Sequence, residues 1–493
     1  MNCLIVFNIT LKTFLKLLYT ISICTYCVIR IEAKNVLFIA IDDLRPALGC
    51  YDDNLAITPN IDKLASSGTV FKKAYCQQSL CSPSRLSLMT GLRPDTTRVW
   101  DLRKHFRDSV PNAITLPQQF KAHGYQTQSI GKIFHGNGKP SKDDKSWSNP
   151  PIYDQVRDKK LRYALDVNLK GNSHKEASSE SAEVEDDYYV DGKVCNTAID
   201  TLKNYAKSGE KFFLAIGFRK PHLPFSAPKK YWDLYDRKTI KTPINSKHPN
   251  NAPEIATRSW LELEGYSDIK KNKVISDHKI RELRHGYYAC VSYIDALIGK
   301  IMLTLKETSL DGNTIICLWG DHGFHLGEQG LWTKANNYEL STRVPLIIST
   351  PDQKLKNRKT DALVELIDIY PTLCSACNVP TPKEVEGKSL ISIINNPSSS
   401  FKKAAYSQFP RHRKNNRHSN NGDIMGYSVR TETHRYTEWR ENDTGKIINS
   451  ELYNYLKDPL EMRNTASLKE SQSEIAELSK LLFSVWPKLK TKK

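Results

Sequence analysis

Five consecutive residues, Cys81-Ser82-Pro83-Ser84-Arg85, bring together a nucleophile, a helix start and a fixed cation. Pro83 suits the first turn of a helix, and Leu86, Leu88 and Met89 supply its apolar residues as far as Gly91. Cys81 then falls at a helix N-terminus, where unbonded N–H groups and the helix dipole favour an anion. Arg85, one turn on, adds a planar fork of donors suited to oxyanions. Such surroundings suit a thiolate nucleophile of lowered pKa. A buried structural cysteine is the competing reading, and the pentapeptide alone leaves both open.

A second set of residues has metal chemistry in it. Asp42 and Asp43 close the apolar run Asn35–Ile41, and Asp321 and His322 follow Thr314–Trp319. Three carboxylates brought together are hard oxygen ligands, suited to Ca²⁺ or Mg²⁺ rather than zinc. Without a cation between them they would repel.

What must position both sets is a sheet. Asn35–Ile41 reads as a strand buried on both faces, as do Phe212–Phe218, Thr314–Trp319 and Pro345–Ser349. Helical patterns lie between them at Pro59–Ser67, Leu116–His123, Gly192–Lys207 and about His278–Glu307. This alternation predicts an α/β fold, a large mainly parallel sheet sandwiched by helices. Ligands in such sheets bind beyond the carboxyl ends of the strands, where the aspartates fall. A further apolar stretch, Leu363–Val379, reads as a helix carrying Cys374 and Cys377 as buried thiols.

The texture changes near residue 395. Met425–Trp439 alternates like a strand, Glu451–Tyr455 follows, and a last helix falls near Ser473–Val485. A smaller C-terminal α+β domain with an antiparallel sheet fits this pattern. The basic run Arg411–Asn421, with Arg411, His412, Arg413, Lys414 and Arg417, reads as an exposed loop, either solvated or gripping a polyanionic chain. Asp154–Asp187 is charged and reads as a surface insertion. The expected organisation is a leader at 1–33, a catalytic α/β domain at 34–395 and a C-terminal α+β part at 396–493.

Composition bounds the rest. The 493 residues contain 72 Lys plus Arg against 54 Asp plus Glu, a net +18, which points to a polyanionic partner. Lys12 and Lys16 precede an apolar run from Leu17 to Ile29, the size of a secretory h-region and too short to span a bilayer comfortably. No later run reads as a membrane span. Three of the eleven cysteines leave with that leader, and if Cys81 has another use at least one of the remaining seven is unpaired. Asn442-Asp443-Thr444 is a glycosylation sequon suited to a secreted chain. Entry into the secretory route, and the lack of any recognisable reading module, remove nucleic acid as the partner.

The stretch Leu80-Cys-Ser-Pro-Ser-Arg-Leu-Ser-Leu-Met-Thr-Gly91 resembles the signature of the type I sulfatases. Further motifs of that family stand in order: Ile41-Asp-Asp-Leu-Arg45, Gly131-Lys-Ile-Phe-His135, Lys220-Pro-His222 and Gly320-Asp-His-Gly323, then Lys334. The likeness runs from about residue 35 to 380 and weakly through Glu451–Asn464. Within the family it is strongest to the enzymes acting on iduronate 2-sulfate, through Gly91–Arg98, Lys220–Phe225, Val291–Asp295 and Leu326–Lys334. Phe324 departs from them, since they have tryptophan at this position near the substrate pocket.

The resemblance implies that Cys81 is oxidised to formylglycine by a formylglycine-generating enzyme and hydrates to a geminal diol. One diol hydroxyl attacks sulfur with Asp321 as base, and the other expels sulfate and restores the aldehyde. Asp42, Asp43, Cys81, Asp321 and His322 are implied as ligands of one Ca²⁺. Arg85, Lys132 and Lys334 would hold sulfate oxygens, His222 would protonate the leaving oxygen, and His135 would assist the second hydroxyl. Arg98, Phe324 and Trp100 are candidates for the substrate pocket, Trp100 being equally a core residue. The implied function is a lysosomal or secreted sulfatase releasing the 2-O-sulfate of terminal iduronate from heparan and dermatan sulfate. A sister enzyme for N-sulfoglucosamine or aryl sulfates and a catalytically dead heparan-binding protein are the alternatives.

Overall fold

The computed structural model describes residues 34–135, 143–154, 156, 158–258, 262–271, 273–412 and 423–486. The expected leader, and Arg413, Lys414 and Arg417 of the basic run, lie outside the described residues. From Lys34 onward the chain forms one compact unit.

Among the described residues ten strands come before residue 400: β1 (Asn35–Ile41), β2 (Thr69–Tyr75), β3 (Gln126–Gly131), β4 (Ser179–Ala182) and β5 (Phe212–Phe218), then β6 (Phe225–Pro228), β7 (Thr314–Gly320), β8 (Arg343–Val344), β9 (Leu346–Ser349) and β10 (Arg358–Glu365). The large sheet has the order β10-β2-β9-β7-β1-β5-β3, with β8 beside β2, while β4 and β6 form a separate pair. β1 lies in the middle, parallel to both neighbours, with Ile39 opposite Ile216 on one side and Leu318 on the other. All seven of its side chains are buried, as a strand covered on both faces requires. Only β8 and β9 run against the rest.

The two faces of β1 supply two cores. Leu37, Ile39 and Ile41 pack with Val194, Ala198 and Leu202 of the helix Val190–Ser208 and with Tyr287, Val291 and Ile294 of the helix Asp277–Glu307. Val36, Phe38 and Ala40 pack with Leu86, Leu88 and Met89 of the helix Cys81–Thr90, with Phe120, and with Ile369 and Leu373. The helix Asp277–Glu307 is long and apolar enough to cross a membrane, contrary to the sequence reading, but 72% of its most apolar window is buried inside the fold.

A second sheet follows, antiparallel in the order β11 (Ala405–Arg411), β12 (Ile424–Arg430), β13 (His434–Glu441) and β14 (Ile447–Asn454). The helix Gln472–Val485 covers one face through Leu478 and Leu482 against Val429, Tyr436 and Leu452. Trp439 and Tyr453 meet Ile255, Leu331 and Tyr338 of the preceding chain. The sheet also braces the approach to Cys81: Ser407 Oγ donates to the Cys76 carbonyl at 2.6 Å and Gln408 N to the Gln77 carbonyl at 2.8 Å.

Several expectations need correcting. Met425–Trp439 is two strands, because a turn after Arg430 lets His434–Glu441 fold back on Ile424–Arg430. Leu363–Val379 is not one helix. Leu363–Glu365 pair with β2, and the helix starts at Ile369, two residues before Pro371. Arg411 is no loop residue; it ends β11 at 8% exposure and donates to the carbonyls of Ile255 and Ala335 at 3.0 and 2.7 Å. Asp154–Asp187 is more than a surface insertion, since Tyr163 is fully buried. Buried Glu180 accepts hydrogen bonds from Ala164 N, Asn168 Nδ2 and Tyr189 Oη. All eight described cysteines are buried free thiols, Cys374 and Cys377 among them.

Candidate active site

The aspartates reach the site because β1 and β7 are neighbours that end together. Asp43 follows β1 in a left-handed conformation (φ 60°), and Asp321 N donates to the Ile41 carbonyl. Asp321 then fixes its surroundings: Oδ1 accepts from Asp43 N at 3.1 Å and from His322 N at 3.0 Å. The helix Cys81–Thr90 brings its N-terminus to the same place and ends on Gly91, left-handed at φ 69°. Ser84 Oγ ties it down by donating to the Asp321 carbonyl at 2.5 Å.

Arg85 is fully buried. Its Nε lies 2.8 Å from Asp321 Oδ2 and its Nη2 3.3 Å from Asp42 Oδ1, and Nη1 donates to the carbonyls of Lys132 and Ile133. Lys132 follows β3, pairs with Asp42 and comes 3.5 Å from Cys81 Sγ. His322 Nε2 is 3.2 Å and Asp42 Oδ1 3.4 Å from the same sulfur. Lys334 Nζ lies 3.1 Å from Asp43 Oδ1 and 2.8 Å from Glu262 Oε2, and His222 Nε2 lies 3.2 Å from Glu262 Oε1.

These charges set one another. Burial would raise the Asp42 carboxyl, but Lys132, His222 and Arg85 outweigh it and hold it well below the usual range. Burial wins at Asp43, which is raised despite Lys334. Lys334 is driven well above its ordinary value, because Asp43 and Glu262 outweigh the burial that opposes its charge. Burial, reinforced by Asp42, pushes the Cys81 thiol well up in spite of Lys132. Burial and Asp42 thus favour the protonated thiol over the thiolate that a helix N-terminus suits.

Asp42, Cys81, Asp321 and His322 each bring one donor atom within 4.8 Å of the others, a group able to hold a metal ion. Asp43 Oδ1 adds a buried carboxylate oxygen that accepts no hydrogen bond, although Lys334 and His322 lie at charge-pair distance. An orphaned oxygen beside two further carboxylates fits a hard cation.

A pocket of about 310 Å³ opens over Cys81, lined by Leu80, Leu102, His135, His222, Glu262 and Lys334. His135 Nδ1 is buried there without a hydrogen-bond partner, and burial together with Lys132 lowers its pKa well below the ordinary value. Phe324 is fully buried and offers the pocket no surface. Its ring packs edge-on to Phe225 and lies 5.8 Å behind Lys334 Nζ. Arg98 is exposed, left-handed at φ 55° and over the Trp100 ring. The half-buried Trp100 indole donates to Asp95 at 2.8 Å. Glu262 was missed in the sequence because it lies in an irregular stretch outside every motif, and no spacing or periodicity singles it out.

The sulfatase family profile matches residues 34–379, and a profile for the C-terminal part of N-sulphoglucosamine sulphohydrolase matches residues 327–487. The iduronate 2-sulfatases of Mus musculus and Homo sapiens are 34% and 33% identical, each over 88% of this chain and 91% of its own. A phosphonate monoester hydrolase of Agrobacterium radiobacter shares the fold, with a TM-score of 0.75 at 19% identity over 92% of this chain and 95% of its own. Fold and site define a hydrolase of sulfuric esters. The chain belongs to the sulfatase family, as a type I sulfatase similar to the iduronate 2-sulfatases.

Proposed function

We propose that the protein removes the 2-O-sulfate of non-reducing-end iduronate in heparan and dermatan sulfate. Cys81 would first be converted to formylglycine by a formylglycine-generating enzyme in the secretory route, with the lysosome or the extracellular space as destination. The observation that carries this reading is the gathering of Lys132, His322, His222 and Lys334 around Cys81. It occurs in a chain 34% identical to an iduronate 2-sulfatase over 88% of its length. The net charge of +18 suits a polyanionic substrate.

The residues divide by task. Asp42, Asp43, Asp321 and His322, with residue 81, would hold one Ca²⁺, which would offset the carboxylates and supply Lewis-acid charge for the sulfate. Formylglycine supplies, through its hydrate, a hydroxyl nucleophile where the thiol is inert. Arg85 is fully buried and engaged by Asp321, Asp42 and the carbonyls of Lys132 and Ile133, so in place of the expected grip on sulfate it would position Asp321, the base. Lys132 and Lys334, each 5% exposed, bring fixed positive charge to the sulfate oxygens. His222 donates the proton that the leaving sugar oxygen needs. His135, kept neutral by burial and Lys132, has Nδ1 available to take a proton when sulfate leaves. Arg98 would meet substrate at the exposed rim, and Phe324 would act only by backing Lys334.

A second reading, hydrolysis of N-sulfoglucosamine, is favoured by the C-terminal profile match. Sulfate release from disaccharides carrying either group at the non-reducing end separates the two. Release from 2-O-sulfated iduronate, lost in Cys81→Ala, is expected. Full activity of Cys81→Ala overturns the chemistry, and release from N-sulfoglucosamine alone moves the assignment to the second reading. Mass spectrometry across Ser79–Arg85 reads the aldehyde directly, and an unmodified thiol in protein made with the converting enzyme would favour a non-catalytic heparan-binding role.

A further inference from the structure

Glu262 is 8% exposed, lines the pocket and bridges Lys334 and His222 there. Lys334 Nζ lies 2.8 Å from Oε2 and 3.1 Å from Oε1, and His222 Nε2 lies 3.2 Å from Oε1. The other ring nitrogen of His222, Nδ1, is 2.6 Å from the Leu223 carbonyl oxygen. A carbonyl and a carboxylate only accept hydrogen bonds, so each of these two contacts favours an N–H on the ring nitrogen that makes it. Lys334 is likewise held between two anions, Glu262 and Asp43. A sulfate ester entering this pocket meets the same lysine and histidine that Glu262 already engages.

We propose that Glu262 is a positioning residue with two opposed effects. It keeps His222 bearing its pocket-side proton and Lys334 beside it, and its own charge competes with the substrate's sulfate for both. The inference rests on the reading that His222 protonates the leaving oxygen. Proton donation matters most when the leaving group is a poor one such as a sugar alcohol, and least for a phenolate activated by a nitro group. Removing the negative charge should therefore slow departure of a sugar alcohol while tightening the hold on sulfate.

The test compares Glu262→Gln, Glu262→Asp and His222→Ala with wild type, using the 2-O-sulfated iduronate disaccharide and 4-nitrophenyl sulfate, with inorganic sulfate as inhibitor. For Glu262→Gln, kcat on the disaccharide is expected to fall at least ~10-fold and on 4-nitrophenyl sulfate less than ~3-fold, the scale of a lost general acid. The inhibition constant of inorganic sulfate should fall, and Glu262→Asp should lie between. A structural role would lower both rates alike and leave sulfate inhibition unchanged, and that result overturns the proposal. If Glu262→Gln does not fold, Glu262→Asp decides by the same ratio of rates. If His222→Ala itself shows no leaving-group dependence, the reading of His222 fails. If it does and the Glu262 variants do not, the Glu262 proposal alone fails.

Discussion

Cys81 is surrounded by Asp42, Lys132 and His322 within 3.5 Å of its sulfur, and is 2% exposed. So dense a cluster holds together only if its charges cancel. Three of its carboxylates, those of Asp42, Asp43 and Asp321, face Arg85, Lys132 and Lys334, yet Asp43 is raised and keeps one oxygen unbonded. That residual demand fits a bound cation. Treatment with EDTA is expected to abolish turnover and lower unfolding stability by about 3 kcal/mol, the gain from a ligand at 100 times its Kd. Ca²⁺ should restore both. An unchanged urea midpoint after EDTA would argue that the lysines and Arg85 neutralise the site unaided.

At the scale of elements, the site depends on strands approaching more closely than side chains allow. Gly131 and Gly217 face one another across β3 and β5, and a Cβ on Gly217 would lie 2.1 Å from the Lys132 carbonyl oxygen. Gly217→Ala is expected to cost more than ~2 kcal/mol in urea unfolding, the scale of an overpacked core. It should also displace Lys132, so that kcat falls even at temperatures where the variant stays folded. Full activity would argue against Lys132 being set by this contact. Which elements were legible follows from the same physics. β1, β5 and β7 are buried on both faces and declare themselves as apolar runs. β3, Gln126–Gly131, is polar in four of its six positions, where Thr127 and Gln128 find partners in Ser146 and Pro150, so periodicity passes over it. Lys72 and Lys73 interrupt β2 in the same way. At the site, the motif residues were readable because they stand at strand and helix ends. Glu262 was not, because only tertiary folding brings it to Lys334.

At the scale of the whole molecule, buried ion pairs join the two sheets. Arg435 of β13 lies 2.6 Å from Glu339 and 3.0 Å from Glu461, and Arg430 lies 3.1 Å from Glu339. Burial would raise the Glu339 carboxyl, but Arg430 and Arg435 outweigh it and bring it down to about 2; Arg93 and Lys402 do the same for Glu365. Carboxyls depressed below their unfolded value of about 4.3 stabilise the fold above that pH and lose the effect as pH falls toward about 2. These pairs should therefore hold the unfolding midpoint level between pH 7 and pH 5, with a decline below pH 4.5. A decline already complete at pH 5 would contradict the pairing. The burial of Cys81 also fixes an order of events in time. A converting enzyme must grasp the chain around its target, and the finished fold leaves Cys81 only 2% exposed at the base of a pocket, so the conversion proposed for it would precede folding. On that proposal each molecule would have a single opportunity to become active, and one that folded first would keep its thiol.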